Sequence, residues 1–178
     1  MGKSTKDYDL PKIEENSIHL NESHPREIAN EYSITVPVED YEAQKKLNAE
    51  QYNAYIVILN HVNENQSGIF VVDGPGGMGK TYLYRTLLAT IRSHNQIALA
   101  TATSGVAAAI MPGGQTAHSR FKIPINLNDS SVCNISKQSA TAELIRKAKL
   151  IIWDEAPMAK RQAIEVVDRT SQDITNNS

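Results

Sequence analysis

The sequence predicts an α/β protein built around a mostly parallel sheet, and three observations carry that expectation. Short apolar runs of strand length alternate with stretches whose apolar residues recur every three or four positions, the pattern of strand–helix–strand units. A glycine-rich segment, GPGGMGKT at 74–81, lies between one such run and one such helix. Two further runs end in Thr103 and in the acidic pair Asp154 and Glu155, so polar residues gather where the strands of such a sheet finish and where its ligands bind.

The elements follow in chain order. Residues 1–40 are charged and polar, with scattered prolines and no sustained period, and read as an extended or partly disordered lead-in to a folded region at 41–174 and a short tail at 175–178. In LNAEQYNAYIVILNHV, Asn48 is placed to cap a helix, Leu47 and Tyr52 to form a hydrophobic staple, and Ala54, Val57, Ile58 and Val62 to form its apolar face. GIFVVD predicts a buried strand at 69–72, and Tyr84, Leu87, Leu88 and Ile91 mark one face of the helix after the glycine loop. QIALATATSG is a second strand, leading into the small-residue helix GVAAAIM, which Pro112, Gly113 and Gly114 stop. TAHSRFKIPINLNDSSVCNIS has no clear period and reads as a long loop; TAELIRKA is a short helix and LIIWDEA a third strand. Three strands leave a parallel sheet short, so at least one strand edge is expected to be unpaired.

Composition narrows the function classes. No stretch approaches the roughly 18 apolar residues of a membrane span. The polar start, MGKSTKDYDLPKIEENS, lacks the apolar segment of a secretory signal, so the chain is expected inside the cell and away from membranes. The single cysteine, Cys133, excludes an internal disulfide framework, and its isolation from the histidines argues against a zinc site. A formal net charge of −2 supplies no general attraction to nucleic acid, so any such binding must use a local groove.

The spacing from Gly74 to Thr81 is G-x-x-x-x-G-K-[ST]. In such a loop the backbone of Gly74, Gly76, Gly77, Met78 and Gly79 can curl around nucleotide phosphates, Lys80 reaches the outer ones, and the Thr81 hydroxyl binds magnesium. The helix that follows turns its unpaired amides and positive dipole end to the same anions. A chance glycine-rich turn is the bland alternative, but it leaves the matching strand and helix flanks unexplained. Asp154, at the end of a buried strand, is where such enzymes hold magnesium, and Glu155 can orient or deprotonate an attacking water; an acidic turn capping the next helix is the alternative. Gln51 stands three residues after Asn48. It can close a capping box or pair with the N6 and N7 of adenine, and the sequence leaves both open.

The run LNAEQ, then GPGGMGKT, TATSGVAAAIMPGGQTAHSRFKIP and IIWDEAPM, in this order and at these spacings, resembles the Pif-type family of superfamily-one DNA helicases, particularly its expanded plant set. DYDLP near the start and AIEVVDRTSQDI near the end also look like family sequence. The resemblance implies a P-loop, RecA-like three-layer sandwich and an ATP-dependent DNA helicase using ATP and Mg2+. It further implies roles in DNA repair, recombination and telomere maintenance, in nucleus or mitochondrion. It assigns adenine reading to Gln51, phosphate binding to Gly76–Thr81, magnesium and water to Asp154 and Glu155, and the single-strand DNA path to Thr103, Ser104, Thr116, His118 and Ser119. His118 taken without its motif reads as an ordinary loop histidine. Family members work with two lobes, the second supplying arginines to the phosphates. Those motifs are absent here, so the chain reads as an incomplete first lobe, with slow hydrolysis, weak DNA binding and no strand separation expected of it alone.

Overall fold

The computed structural model describes residues 25–74, 77–128 and 130–175. Its helices are α1 (Arg26–Tyr32), α2 (Val38–Glu42), α3 (Ala49–Asn63), α4 (Lys80–Ser93), α5 (Gly105–Ala109), α6 (Ala117–Phe121), α7 (Ala140–Lys147) and α8 (Arg161–Thr175). The strands are β1 (Ile97–Ala102), β2 (Gln115–Thr116) and β3 (Ala148–Asp154), in the order β2-β1-β3 and all parallel. Among the described residues no helix is long and apolar enough to cross a membrane.

Alternation along the strands sends side chains to two helical layers. Ala98, Ala100 and Ala102 of β1 and Leu150 and Ile152 of β3 pack with Ile58 of α3, Leu83 and Leu87 of α4 and Ala107 of α5. On the opposite face Ile97 and Leu99 meet Ile28 of α1 and Leu144 of α7, and Trp153 lies against Phe121 and the cluster that includes Val166 of α8. β1 is covered on both faces and every residue of it is buried, all apolar except Thr101, whose hydroxyl donates to the Ile152 carbonyl. This is the three-layer α/β arrangement that the sequence predicts, with a short parallel sheet.

The strand expected at 69–72 is not formed. Ile69 and Val71 are 92% and 87% exposed, and no ladder joins this segment to the sheet among the described residues. The crossover from β1 to β2 through α5 and the connection from this segment to β1 through α4 cover the same face of the sheet. Right-handed crossovers over one face step in one direction, so residues 67–74 belong on the side of β1 away from β2, beyond β3. They do run there. A groove of about 1220 Å3, lined by residues 65–74 on one wall and 148–158 on another, separates them from β3. An apolar run becomes a strand only when a neighbour supplies its hydrogen bonds, and here the outer edge of β3 lies across the groove.

Other differences are local. The lead-in predicted for residues 1–40 is cut short by α1 and the start of α2, with Ile28 fully buried; residues 1–24 lie outside the described residues. The buried face of α3 is Tyr55, Ile58 and Val62, whereas Val57 is exposed, because the Tyr55 hydroxyl finds Gln44 at 3.0 Å and Thr90 at 2.9 Å and its ring can be buried. Tyr52 is half exposed and stacks on Tyr55. The long loop predicted from Thr116 onward begins with β2 and α6, and residues 161–175, to which the sequence reading assigns no element, form α8.

A buried charge cluster holds α1 in place. Glu31 lies 2.5 Å from Arg120 of α6 and 3.9 Å from Arg92 of α4, and all three side chains are almost wholly buried. Arg92 also donates to the carbonyls of Pro112 and Ala98, and Arg120 to that of Gly113. Burial lowers the Arg92 guanidinium from its ordinary range and the Glu31 carboxylate opposes that shift.

Candidate functional site

The register Ala102↔Thr116 and Ala102↔Asp154 brings the carboxyl ends of the three strands level. Thr103, Ser104, Thr116, Asp154 and Glu155 therefore collect along one rim of the sheet. Gly74, Lys80, Tyr84, Asp154 and Glu155 line the same groove, which joins the glycine loop to the acidic pair as the sequence predicts. Gly76 lies outside the described residues.

The loop takes its shape from two glycines in the left-handed region, Gly77 at φ 81° and Gly79 at φ 76°. Gly79 is also the residue before α4; its left-handed backbone favours glycine, and a Cβ there would in addition displace the end of the Gln51 side chain, whose amide nitrogen would stand 2.6 Å away. Lys80 Nζ donates to the Gly74 carbonyl, closing the loop on itself, and Met78 is half exposed beside it. With α4 running from Lys80, the N-terminal end of the helix directly adjoins the loop, and no side chain caps it.

Gln51 does close the capping box. Its backbone N–H donates to Asn48 Oδ1 at 2.9 Å, and its own Oε1 accepts from the Asn48 N–H at 3.1 Å. Its Nε2 also donates to the Met78 carbonyl at 3.0 Å, which ties the start of α3 to the glycine loop. Gln51→Ala removes the return bond from the Asn48 N–H and the bond to the Met78 carbonyl while Asn48 still caps the helix, and is expected to lower stability by about 1 kcal/mol, as read by a urea melt. An unchanged melt would contradict the capping role, and a narrowed preference for ATP over GTP in a competition assay would show that the amide also reads adenine.

Asp154 is buried, and its Oδ1 accepts from the Glu155 N–H at 2.9 Å. Glu155 sits at φ 55°, a left-handed conformation uncommon for a residue with a side chain, and opens a 3-10 turn at Ala156–Met158. A carboxylate and the Thr81 hydroxyl are hard oxygen donors that suit magnesium, with phosphate oxygens and water completing its shell. Among the described residues no cluster of three or more His, Cys, Asp or Glu side chains gathers. Burial, with a smaller contribution from the Asp154 carboxylate, raises the Tyr84 phenol above its ordinary range, so it remains a neutral hydroxyl at the groove.

The structure also ties together residues that the sequence treats separately. The Ser104 hydroxyl donates to Glu155 Oε2 at 2.7 Å and accepts from the Ala107 N–H at 3.1 Å, capping α5. The Thr103 hydroxyl donates to the Glu155 carbonyl at 2.8 Å and accepts from Trp153 Nε1 at 3.1 Å. Thr116 caps α6 through the Ser119 N–H, and His118 and Ser119 are exposed. No local sequence signal marks the link from Ser104 to Glu155, which spans 51 residues.

Residues 46–178 match the protein family described as PIF1-like helicase. Over 126 residues the chain is 25% identical to the ATP-dependent DNA helicase PIF4 of Trypanosoma brucei brucei (strain 927/4 GUTat10.1). That alignment covers 68% of this chain and 14% of the trypanosome protein, so the chain spans a small part of the length of the curated relative it matches.

Proposed function

The chain belongs to the PIF1-like helicase family, and from that premise we propose that it forms part of the first RecA-like lobe of an ATP-dependent DNA helicase. The observation that carries this reading is that Gly74, Lys80, Asp154 and Glu155 all line one groove, which runs along β3 and past its carboxyl end. On this reading the glycine loop, with Gly76, Gly77, Met78 and Gly79, and the first turn of α4 bind the phosphates of ATP, and Lys80 exchanges the Gly74 carbonyl for the outer phosphates. Thr81 and Asp154 hold Mg2+, which offsets charge on those phosphates, and Glu155 orients the attacking water. Thr103, Ser104, Thr116, His118 and Ser119 form the single-strand DNA side of the rim, with hydroxyls for phosphate and an imidazole for base contact. The proposal extends to the family's work in DNA repair, recombination and telomere maintenance, in nucleus or mitochondrion.

A second reading, a nucleotide-binding module with little or no helicase activity, is favoured by the open groove beside β3 and the three-stranded sheet that the described residues form. Measuring ATP turnover by the purified chain, with and without single-stranded DNA, tests the second reading. We expect turnover barely above background, because a second lobe's arginine contributes about 10³–10⁵ in rate in enzymes of this kind. Robust DNA-stimulated hydrolysis by the chain alone would overturn the second reading.

A further inference from the structure

We propose that Ser104 and Thr103 form a clasp on Glu155, the first on its carboxylate and the second on its carbonyl, that a nucleic-acid phosphate opens, so that each hydroxyl proton serves either Glu155 or the bound strand, never both. The inference rests on the nucleic-acid reading of this rim and goes beyond it.

The argument is a count of donors. A serine or threonine hydroxyl has one proton to donate and two lone pairs to accept with. The Ser104 proton goes to Glu155 Oε2 and the Thr103 proton to the Glu155 carbonyl. Capping α5 uses a lone pair of Ser104, and holding the Trp153 indole uses a lone pair of Thr103, so neither structural duty needs the proton. A phosphate oxygen can only accept. For either hydroxyl to bind a strand it must therefore turn its proton away from Glu155, while its cap or its indole bond stays in place. Both residues are partly exposed, and Gly105 and Val106 beside them are open to solvent, so a strand can reach them.

The consequence falls on Glu155. Its side chain is held by Ser104, its carbonyl by Thr103, and its backbone stands in the left-handed region, with its N–H on Asp154. Releasing the two hydroxyl bonds frees the carboxylate from the rim and leaves it to the groove that it already lines with Lys80 and Asp154. Ser104 is thus a positioning residue, through which occupation of the rim reaches the water.

The test is a double-mutant cycle on binding of a fluorescent oligothymidylate to the whole chain, read by anisotropy at low salt. Glu155→Ala releases the Ser104 proton in advance and is expected to tighten binding roughly five- to tenfold. In the Ser104→Ala background the same change should tighten it no more than about twofold, the part due to removing a nearby screened charge. Ser104→Thr, which keeps the hydroxyl and the cap, should restore the larger gain. If Ser104→Ala does not fold, Ser104→Gly takes its place in the cycle, removing the same hydroxyl proton at a helix cap where glycine is well tolerated. Equal gains in both backgrounds would overturn the clasp and leave nucleic-acid binding standing. No binding of the oligonucleotide by the parent chain would overturn the rim reading and the clasp with it.

Discussion

Glu31→Ala is expected to cost the fold about 3–5 kcal/mol, the penalty for leaving buried charge without its partner. Glu31 is the acidic member of a cluster with Arg92 and Arg120, whose side chains are as buried as its own. Their other contacts are backbone carbonyls, which satisfy N–H groups but carry no net charge. Against a total stability of roughly 5–15 kcal/mol for a domain of this kind, the loss is large. It should also detach α1, because Ile28 is the other buried side chain of that helix. Glu31→Gln keeps a hydrogen-bond acceptor for Arg120 without the charge and should fall between parent and alanine variant. Urea unfolding followed by far-UV circular dichroism checks both, and a loss below about 1 kcal/mol for Glu31→Ala would place the cluster among weak surface pairs instead.

Lys80→Ala is expected to weaken binding of magnesium-ATP roughly ten- to a hundredfold, since a hydrogen bond to a charged group contributes about 1.5–3 kcal/mol. The structure gives a reason for the size. The ammonium is already gathered over the loop by the Gly74 carbonyl, so a phosphate arriving in the loop meets a cation held in place. Nucleotide that binds only the folded chain raises its melting temperature, and that rise should be lost in the variant.

The parts of this molecule that were legible in sequence are those set by neighbours along the chain. Asn48 and Gln51, three residues apart, form the capping box, one of the two roles the sequence left open for Gln51; the G-x-x-x-x-G-K-T spacing leads directly into α4; and β1 and β3 stand where their apolar runs do. The family, too, was readable from motif order, and the match over residues 46–178 agrees with it. What escaped depends on distant partners. Ile69, Phe70, Val71 and Val72 read as a buried strand, yet a strand needs a ladder, and the edge they would face is across a groove. Glu31 in a polar stretch reads as a solvated charge, because its partner Arg120 lies 89 residues further on. Tyr55 displaced Val57 from the buried face of α3 for the same reason, since Thr90 was there to take its hydroxyl. The site followed this division: the glycine loop and the acidic pair were named from local pattern, while the bond from Ser104 to Glu155 needed the fold.

The central claim is that the groove between the glycine loop and Asp154 is a nucleotide-phosphate site. Titrating magnesium-ATP into the purified chain by isothermal calorimetry, beside the Lys80→Ala variant, tests it most directly. The account predicts saturable binding at one site per chain that the variant loses or weakens at least tenfold; equal binding by both proteins, or none by the parent chain, would contradict it.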